Sequence, residues 1–246
     1  HYCSRRQRQM CIRDRVNGDF LVKRPKDLTS KQAMIMGTAG LTALQCAFTA
    51  KTAKEELLLG EKVENVIVTG ASGGVGSIAV MILNKLGCNV TAVTSKESNK
   101  EYLKSIGAKN IINTSDLNKE SRPLDKGLWD GAVDTVGGQV LANVLAQTKE
   151  AGIVAACGNA ADIKLNTTVM PFIIRGVKLW GINSVNTSIK RRQFLWDEAS
   201  KLVNFDSLGH SIKEINLEEL IDVYPKMLKG ETTGLSLIHI SEPTRR

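Results

Sequence analysis

Apolar residues along this chain follow two alternating rhythms. Short runs rich in β-branched residues at 65–69, 89–94, 110–113, 130–134, 152–156 and 177–183 read as strands. Apolar positions at helical spacing fill 75–87, 98–106 and 138–147 between them. Strands that alternate with helices predict βαβ units, a parallel sheet and right-handed crossovers. Upstream, Thr29 or Ser30 caps a helix through "KQAMIM", and "GTAGLTALQCAFTAK" is a second helix behind a glycine-rich turn. "VNGDFLVK", Val16–Lys23, reads as one strand that stops before Pro25. From Ile189 the pattern is helix (189–204), strand (211–215) and helix (217–228), ending near "KGETTG".

The first strand of the alternating region runs into "TGASGGVG". Gly70, Gly73, Gly74 and Gly76 lie between strand "NVIVT" and helix "VGSIAVMILNKLG", and a second strand, "NVTAVT", closes the unit. Glycines let the backbone approach a pyrophosphate without Cβ interference, and the helix then points its free N–H groups and positive dipole end at the charge. The predicted fold class is therefore α/β, a Rossmann-type doubly wound parallel sheet of six strands that binds a dinucleotide.

The end of the second strand selects the cofactor. An NAD enzyme places Asp or Glu there for the ribose 2′-OH. This chain has Thr94, Ser95 and Lys96, two hydroxyls and an ammonium suited to a 2′-phosphate. Glu97 lies one step further on and suits the start of the next helix. NADPH is the expected cofactor. The same glycine turn also fits short-chain dehydrogenases, which need a Tyr-x-x-x-Lys pair. Four residues after Tyr102 and Tyr224 stand Ile106 and Leu228, so that alternative is rejected.

Charge and cysteine content change meaning once the ends are read as DNA. "MCIRDR" (Met10–Arg15) can be written ATG-TGT-ATA-AGA-GAC-AG, whose reverse complement translates as L-S-L-I-H and then Ile or Met, the run at Leu235–Ile240. Residues 1–15 and 235–246 are accordingly expected to be translated sequencing adaptor and are set aside from fold reasoning. Removing their +4 and +1 from the formal +8 leaves +3, so the basic pI gives no reason to expect a nucleic-acid partner. Cys46, Cys88, Cys157 and His210 remain, too dispersed for a zinc cluster of ordinary spacing, and no metal is expected. Dispersed cysteines and the lack of a signal-like apolar start fit a reducing cytoplasm. No apolar run approaches the ~20 residues of a membrane span.

Asp19–Gly234 resembles the medium-chain dehydrogenase/reductase superfamily, in its zinc-free acrylyl-CoA reductase and quinone-oxidoreductase-like branch. The motifs are "AMIMGTAGLTA", "VTGASGGVGSIAV", "EYLKSIGAK", "ESRPL", "WDGAVDTVGG", "VAACGNA" and "TTVMPFIIRGVKLWGINSV". The resemblance implies a GroES-like catalytic domain, of which 16–29 is a remnant. It also implies an NADP-binding domain at 30–186 and a return segment at 187–234. The implied reaction is NADPH-dependent reduction of the C=C bond of a short α,β-unsaturated acyl-CoA, with a quinone as the alternative substrate.

By the same resemblance, Ser72, Gly73, Gly74 and Val75 hold the pyrophosphate. Thr94, Ser95 and Lys96 hold the 2′-phosphate, Lys96 keeping the charge but not the bidentate fork of the Arg found in many relatives. Asp134, Thr135, Cys157, Asn159 and Ser184 sit at strand ends around the nicotinamide half. No catalytic residue is assigned. A homodimer through the edge strand "VKLWGIN" is implied as well. Several residues keep a plainer reading: Asp134 as a structural cap, Cys157 as a small buried hydrophobe, His210 as surface, and Arg175 as a helix-end cap. Lys190, Arg191 and Arg192 read as a solvated helix face that would also suit CoA phosphates.

Overall fold

The computed structural model describes residues 17–57 and 62–239. Strands β1 (Asn65–Val68), β2 (Asn89–Thr94), β3 (Ala108–Asn113), β4 (Trp129–Asp134), β5 (Thr148–Ala156) and β6 (Lys178–Gly181) form one sheet. Its order is β3-β2-β1-β4-β5-β6, and every adjacent pair is parallel. The winding reverses between β1 and β4, which opens a crevice beyond their carboxyl ends.

Side-chain alternation assigns the two faces. Val66, Val68, Val90, Ala92, Val133 and Ala155 join one core cluster, while Ile67, Val93, Ala132 and Val154 join the other. The helices are α1 (Ser30–Leu57), α2 (Gly74–Lys85), α3 (Lys100–Ser105), α4 (Thr114–Leu117), α5 (Gly138–Ala146), α6 (Met170–Arg175), α7 (Ile189–Leu202) and α8 (Leu220–Leu228). Leu44 of α1, Ile78 and Ile82 of α2 and Leu195 of α7 cover the first face. Leu117 of α4 and Val140, Val144 and Leu145 of α5 cover the second.

The two helices expected around the first glycine-rich turn run on as α1 across a kink at Gly37, where φ is 30° and ψ is −137°. Thr29 is their cap: its hydroxyl accepts from Gln32 N at 3.2 Å, and Gln32 Oε1 accepts from Thr29 N at 2.8 Å, a reciprocal capping box. Ser30–Thr52 is long and apolar enough to span a membrane, contrary to the sequence expectation. In the fold 61% of its apolar window is buried, and it packs as a core helix on the sheet.

Asn17–Lys23, within the run expected to be a strand, is not one. Asn17 accepts from Asp19 N at 3.0 Å and starts a 3₁₀ turn at Gly18–Phe20, and Phe20 and Leu21 stay exposed. The Asx turn satisfies the backbone locally, and further on the Lys23 N–H and carbonyl bond to the Gln193 side chain at 2.8 and 3.0 Å. Val16 and residues 1–15 and 240–246 lie outside the described residues, as does the side chain of His210. Leu235–His239, set aside as adaptor, forms strand β8. It pairs in parallel with β7 (Ile212–Asn216) in a separate two-stranded sheet.

Candidate functional site

The glycine turn joins β1 to α2 at the crevice. Gly70 has φ +58°, and a Cβ there would stand 2.2 Å from Thr135 Oγ1. A Cβ on Gly76 would stand 2.3 Å from the Gly70 carbonyl, so α2 packs directly on the turn. The loop is tied to its neighbours: Thr69 N donates to the Val133 carbonyl at 2.9 Å and Ala71 N to the Val93 carbonyl at 3.0 Å. Ser72, Gly73, Gly74 and Val75 are half-buried at the start of α2.

The end of β2 meets this turn. Ser72 Oγ and Thr94 Oγ1 are 3.2 Å apart, and Thr94 Oγ1 accepts from Lys96 N at 3.2 Å. Ser95 is exposed beside them. Glu97 turns away to pair with Lys100. Lys96 Nζ donates to the Thr232 carbonyl at 2.7 Å, and partial burial holds its ammonium below the ordinary lysine range. Asn99 donates to Thr233 Oγ1 at 3.2 Å, and Gly234 N donates to the Ser72 carbonyl at 2.8 Å. A strap, Thr232–Gly234, thus walls the site from far along the chain. Sequence reading missed this wall because its partners lie 134 to 136 residues away.

Asp134 has no exposed surface, so its carboxylate is not presented to a ligand. It accepts from Thr69 Oγ1 at 2.7 Å and Gly137 N at 2.9 Å, and Thr135 N and Thr135 Oγ1 bond back to Thr69. These bonds tie the end of β1 to the turn after β4. Burial raises the pKa of Asp134 against these hydrogen bonds. Thr135 is half-buried at the crevice.

Cys157 follows β5 and is half-buried rather than core. Its Sγ lies 3.4 Å from the Asp134 carbonyl. Fully buried Cys46 of α1 belongs to the core cluster against which Cys157 packs. Interaction with Cys46 lowers the Cys157 pKa, against burial and the nearby Asp134 charge, and interaction with Cys157 together with burial raises that of Cys46. Asn159 is exposed beyond it, and Ser184 is half-buried after β6.

Of the cationic residues, Arg192 differs from expectation. Arg192 is no solvated residue: its guanidinium donates to the carbonyls of Ser184, Val185 and Thr187 at 2.7 to 3.0 Å and holds the loop after β6. Arg175 takes the Ala146 and Thr148 carbonyls at 3.0 Å and the Asp125 carbonyl. Lys190 remains exposed, and Arg191 edges a groove of about 550 Å³ beside β6 with Gln45, Trp180 and Asn183.

Residues 74–201 match the family described as zinc-binding dehydrogenase. Among the described residues, no group of three His, Cys, Asp or Glu side chains is placed to hold a metal ion. The chain is 40% identical over 227 residues to acrylyl-CoA reductase AcuI of Ruegeria pomeroyi, covering 92% of this chain and 68% of that protein. It superposes with a TM-score of 0.85 and 45% identity on the YhdH oxidoreductase from Salmonella enterica in complex with NADP, covering 93% of this chain and 69% of that one. The YhfP protein of Bacillus subtilis with NAD bound gives 0.82 and 38%, over 92% of this chain and 68% of that one.

Proposed function

The chain belongs to the medium-chain dehydrogenase/reductase superfamily, in its acrylyl-CoA reductase and quinone-oxidoreductase-like branch, and from that premise we propose that it serves the NADPH-dependent reduction of the C=C bond of a short α,β-unsaturated acyl-CoA. The observation that carries this reading is the close-packed glycine turn Gly70–Gly76 between β1 and α2, with Thr94, Ser95 and Lys96 beside it. NADPH, when bound, supplies a hydride to the β-carbon of the activated double bond. The amides of Ser72–Val75 and the α2 dipole hold the pyrophosphate. Lys96 and the two hydroxyls hold the 2′-phosphate. Thr135, Cys157, Asn159 and Ser184 line the crevice, and buried Asp134 fixes the turn that carries Thr135. No residue here is given the proton-transfer role, and no step runs through a metal.

Calorimetric titration of the chain with NADPH and NADH, beside Lys96→Glu, tests the cofactor site. Preference for NADPH, lost in the variant, supports it; equal binding of both cofactors overturns the 2′-phosphate assignment. Acyl-CoA over quinone rests on the likeness to AcuI. Faster turnover of a quinone than of acrylyl-CoA would reverse that choice. The assigned setting is the cytoplasm, in keeping with free Cys46, Cys88 and Cys157.

Residues 30–186 form the nucleotide-binding unit on this reading, with 16–29 and 187–234 belonging to the catalytic domain and 1–15 and 235–246 to adaptor DNA. Re-amplifying the coding DNA from its source would return different codons at both ends; recovery of the same codons overturns the adaptor assignment.

A further inference from the structure

Two residues at the start of α3 hold the strap. Asn99, just before the helix, and Tyr102 within it lie three apart and share a face. Asn99 Nδ2 donates to Thr233 Oγ1 at 3.2 Å, and Tyr102 donates to Ser211 Oγ at 2.7 Å. Ser211 seats Gly234, where φ is +67° and a Cβ would run into the Ser211 carbonyl. The strap therefore has two halves. Gly234 N donates to the Ser72 carbonyl on the glycine turn, whereas Thr232 and Thr233 meet Lys96 and Asn99 beyond the end of β2. Asn99 has the residue type and the position of a helix N-cap, yet its side chain makes no capping bond. It is buried, and its amide serves Thr233, 134 residues away. A local bond is forgone for a distant one where the strap stands beside Lys96.

We infer that Asn99 is a positioning residue for the cofactor's 2′-phosphate, acting through Thr233: together they fix the threonine half of the strap and, through the Thr232 carbonyl, the place of the Lys96 ammonium. The inference rests on the 2′-phosphate reading of Thr94, Ser95 and Lys96. A lysine carries its charge on a long flexible stem, so the charge has no fixed place unless something holds it. The Thr232 carbonyl holds it at 2.7 Å, and the Asn99–Thr233 bond sets where that carbonyl stands. A phosphate then meets an ammonium already placed, and less side-chain freedom is lost on binding. The NADH ribose has no phosphate there and gains nothing from this arrangement. Gly234 keeps its own seat on Ser211, so loss of the Asn99–Thr233 bond frees the Lys96 side of the strap and leaves the pyrophosphate side in place.

The test compares Asn99→Ala, Thr233→Val and Thr233→Ser in the full chain. Each is titrated with NADPH and with NADH, and backbone hydrogen exchange over 231–234 is followed without cofactor. Asn99→Ala and Thr233→Val should each lose NADPH affinity about three- to tenfold, the worth of one ordinary hydrogen bond, with NADH affinity moving by less than about twofold. Thr233→Ser keeps the hydroxyl and should restore the parent value. Exchange at Thr233 should quicken in the first two variants and not in the third. Equal loss of both cofactors marks a merely structural role and overturns the inference, as does an unchanged NADPH preference or unchanged exchange. Thr233→Val matches the parent side chain in size at a half-buried position, so it decides the matter even where Asn99→Ala fails to fold. A parent chain that binds both cofactors alike, or neither, overturns the 2′-phosphate reading itself and this inference with it; a parent that prefers NADPH, with variants that keep the preference, overturns this inference alone.

Discussion

On the proposed reading Lys96 carries the cofactor choice, and its environment gives that choice a pH dependence. Burial holds its ammonium below the usual lysine range. The charged form is the one that attracts a 2′-phosphate, so the preference for NADPH over NADH should be complete at neutral pH and decay as pH rises through the lowered pKa. Lys96→Arg should flatten that decay, and titrations across the alkaline range will show whether it does. Lys96→Glu should cost NADPH affinity about tenfold or more, the worth of a hydrogen bond to a charged group, and leave NADH affinity largely intact. Thr69 is the second residue whose loss should be felt. It serves Asp134 and Thr135 at once, so Thr69→Val strands a buried carboxylate oxygen and should lower stability by ~1–3 kcal/mol, while Thr69→Ser recovers most of it in chemical denaturation. The glycines and Lys96 were legible in sequence because their signals are local. Thr69 was not, since its partner stands 65 residues away and nothing near either residue marks the bond.

Among elements, the join of β1 to α2 was read correctly because a strand, a glycine cluster and a helix follow one another without interruption. Its tightness is a separate matter that only the packing displays. Gly76→Ala would push a methyl to 2.3 Å from the Gly70 carbonyl and 2.7 Å from Ala71 Cα, both backbone atoms that cannot swing aside. That variant should lose ~1–3 kcal/mol, the range of overpacked cores, and bind cofactor weakly; an unchanged melting temperature would contradict the close seat of α2. The misread segment, Val16–Lys23, shows the opposite balance. Its apolar residues suggested a strand, but Asn17 captures the backbone first. The strap at Thr232–Gly234 carries no periodic signal, and its role comes from its bonds to Ser72, Lys96 and Asn99 far earlier in the chain.

At the scale of the whole molecule, the doubly wound plan was legible because alternate residues of one strand serve opposite faces, and six such strands leave few other topologies. The edge of that plan is β6. Trp180 is 57% and Leu179 37% exposed there, with Ile173 and Ile174 uncovered nearby on α6. Pairing of β6 with its copy in a second chain would cover this apolar ground. Light scattering of the chain should therefore give twice the single-chain mass, and Trp180→Lys should return it to one; a single-chain mass for the unaltered chain would refute the pairing. The strap bears on a different property, the rate at which a ligand departs. The Thr232 carbonyl already satisfies Lys96 when nothing else does. An outgoing phosphate would be replaced by an acceptor tethered within the same molecule, so the ammonium need never stand bare and partly dehydrated. Affinity then reflects a difference between two acceptors, and turnover gains from a handover that spares the site the full cost of an unpaired charge.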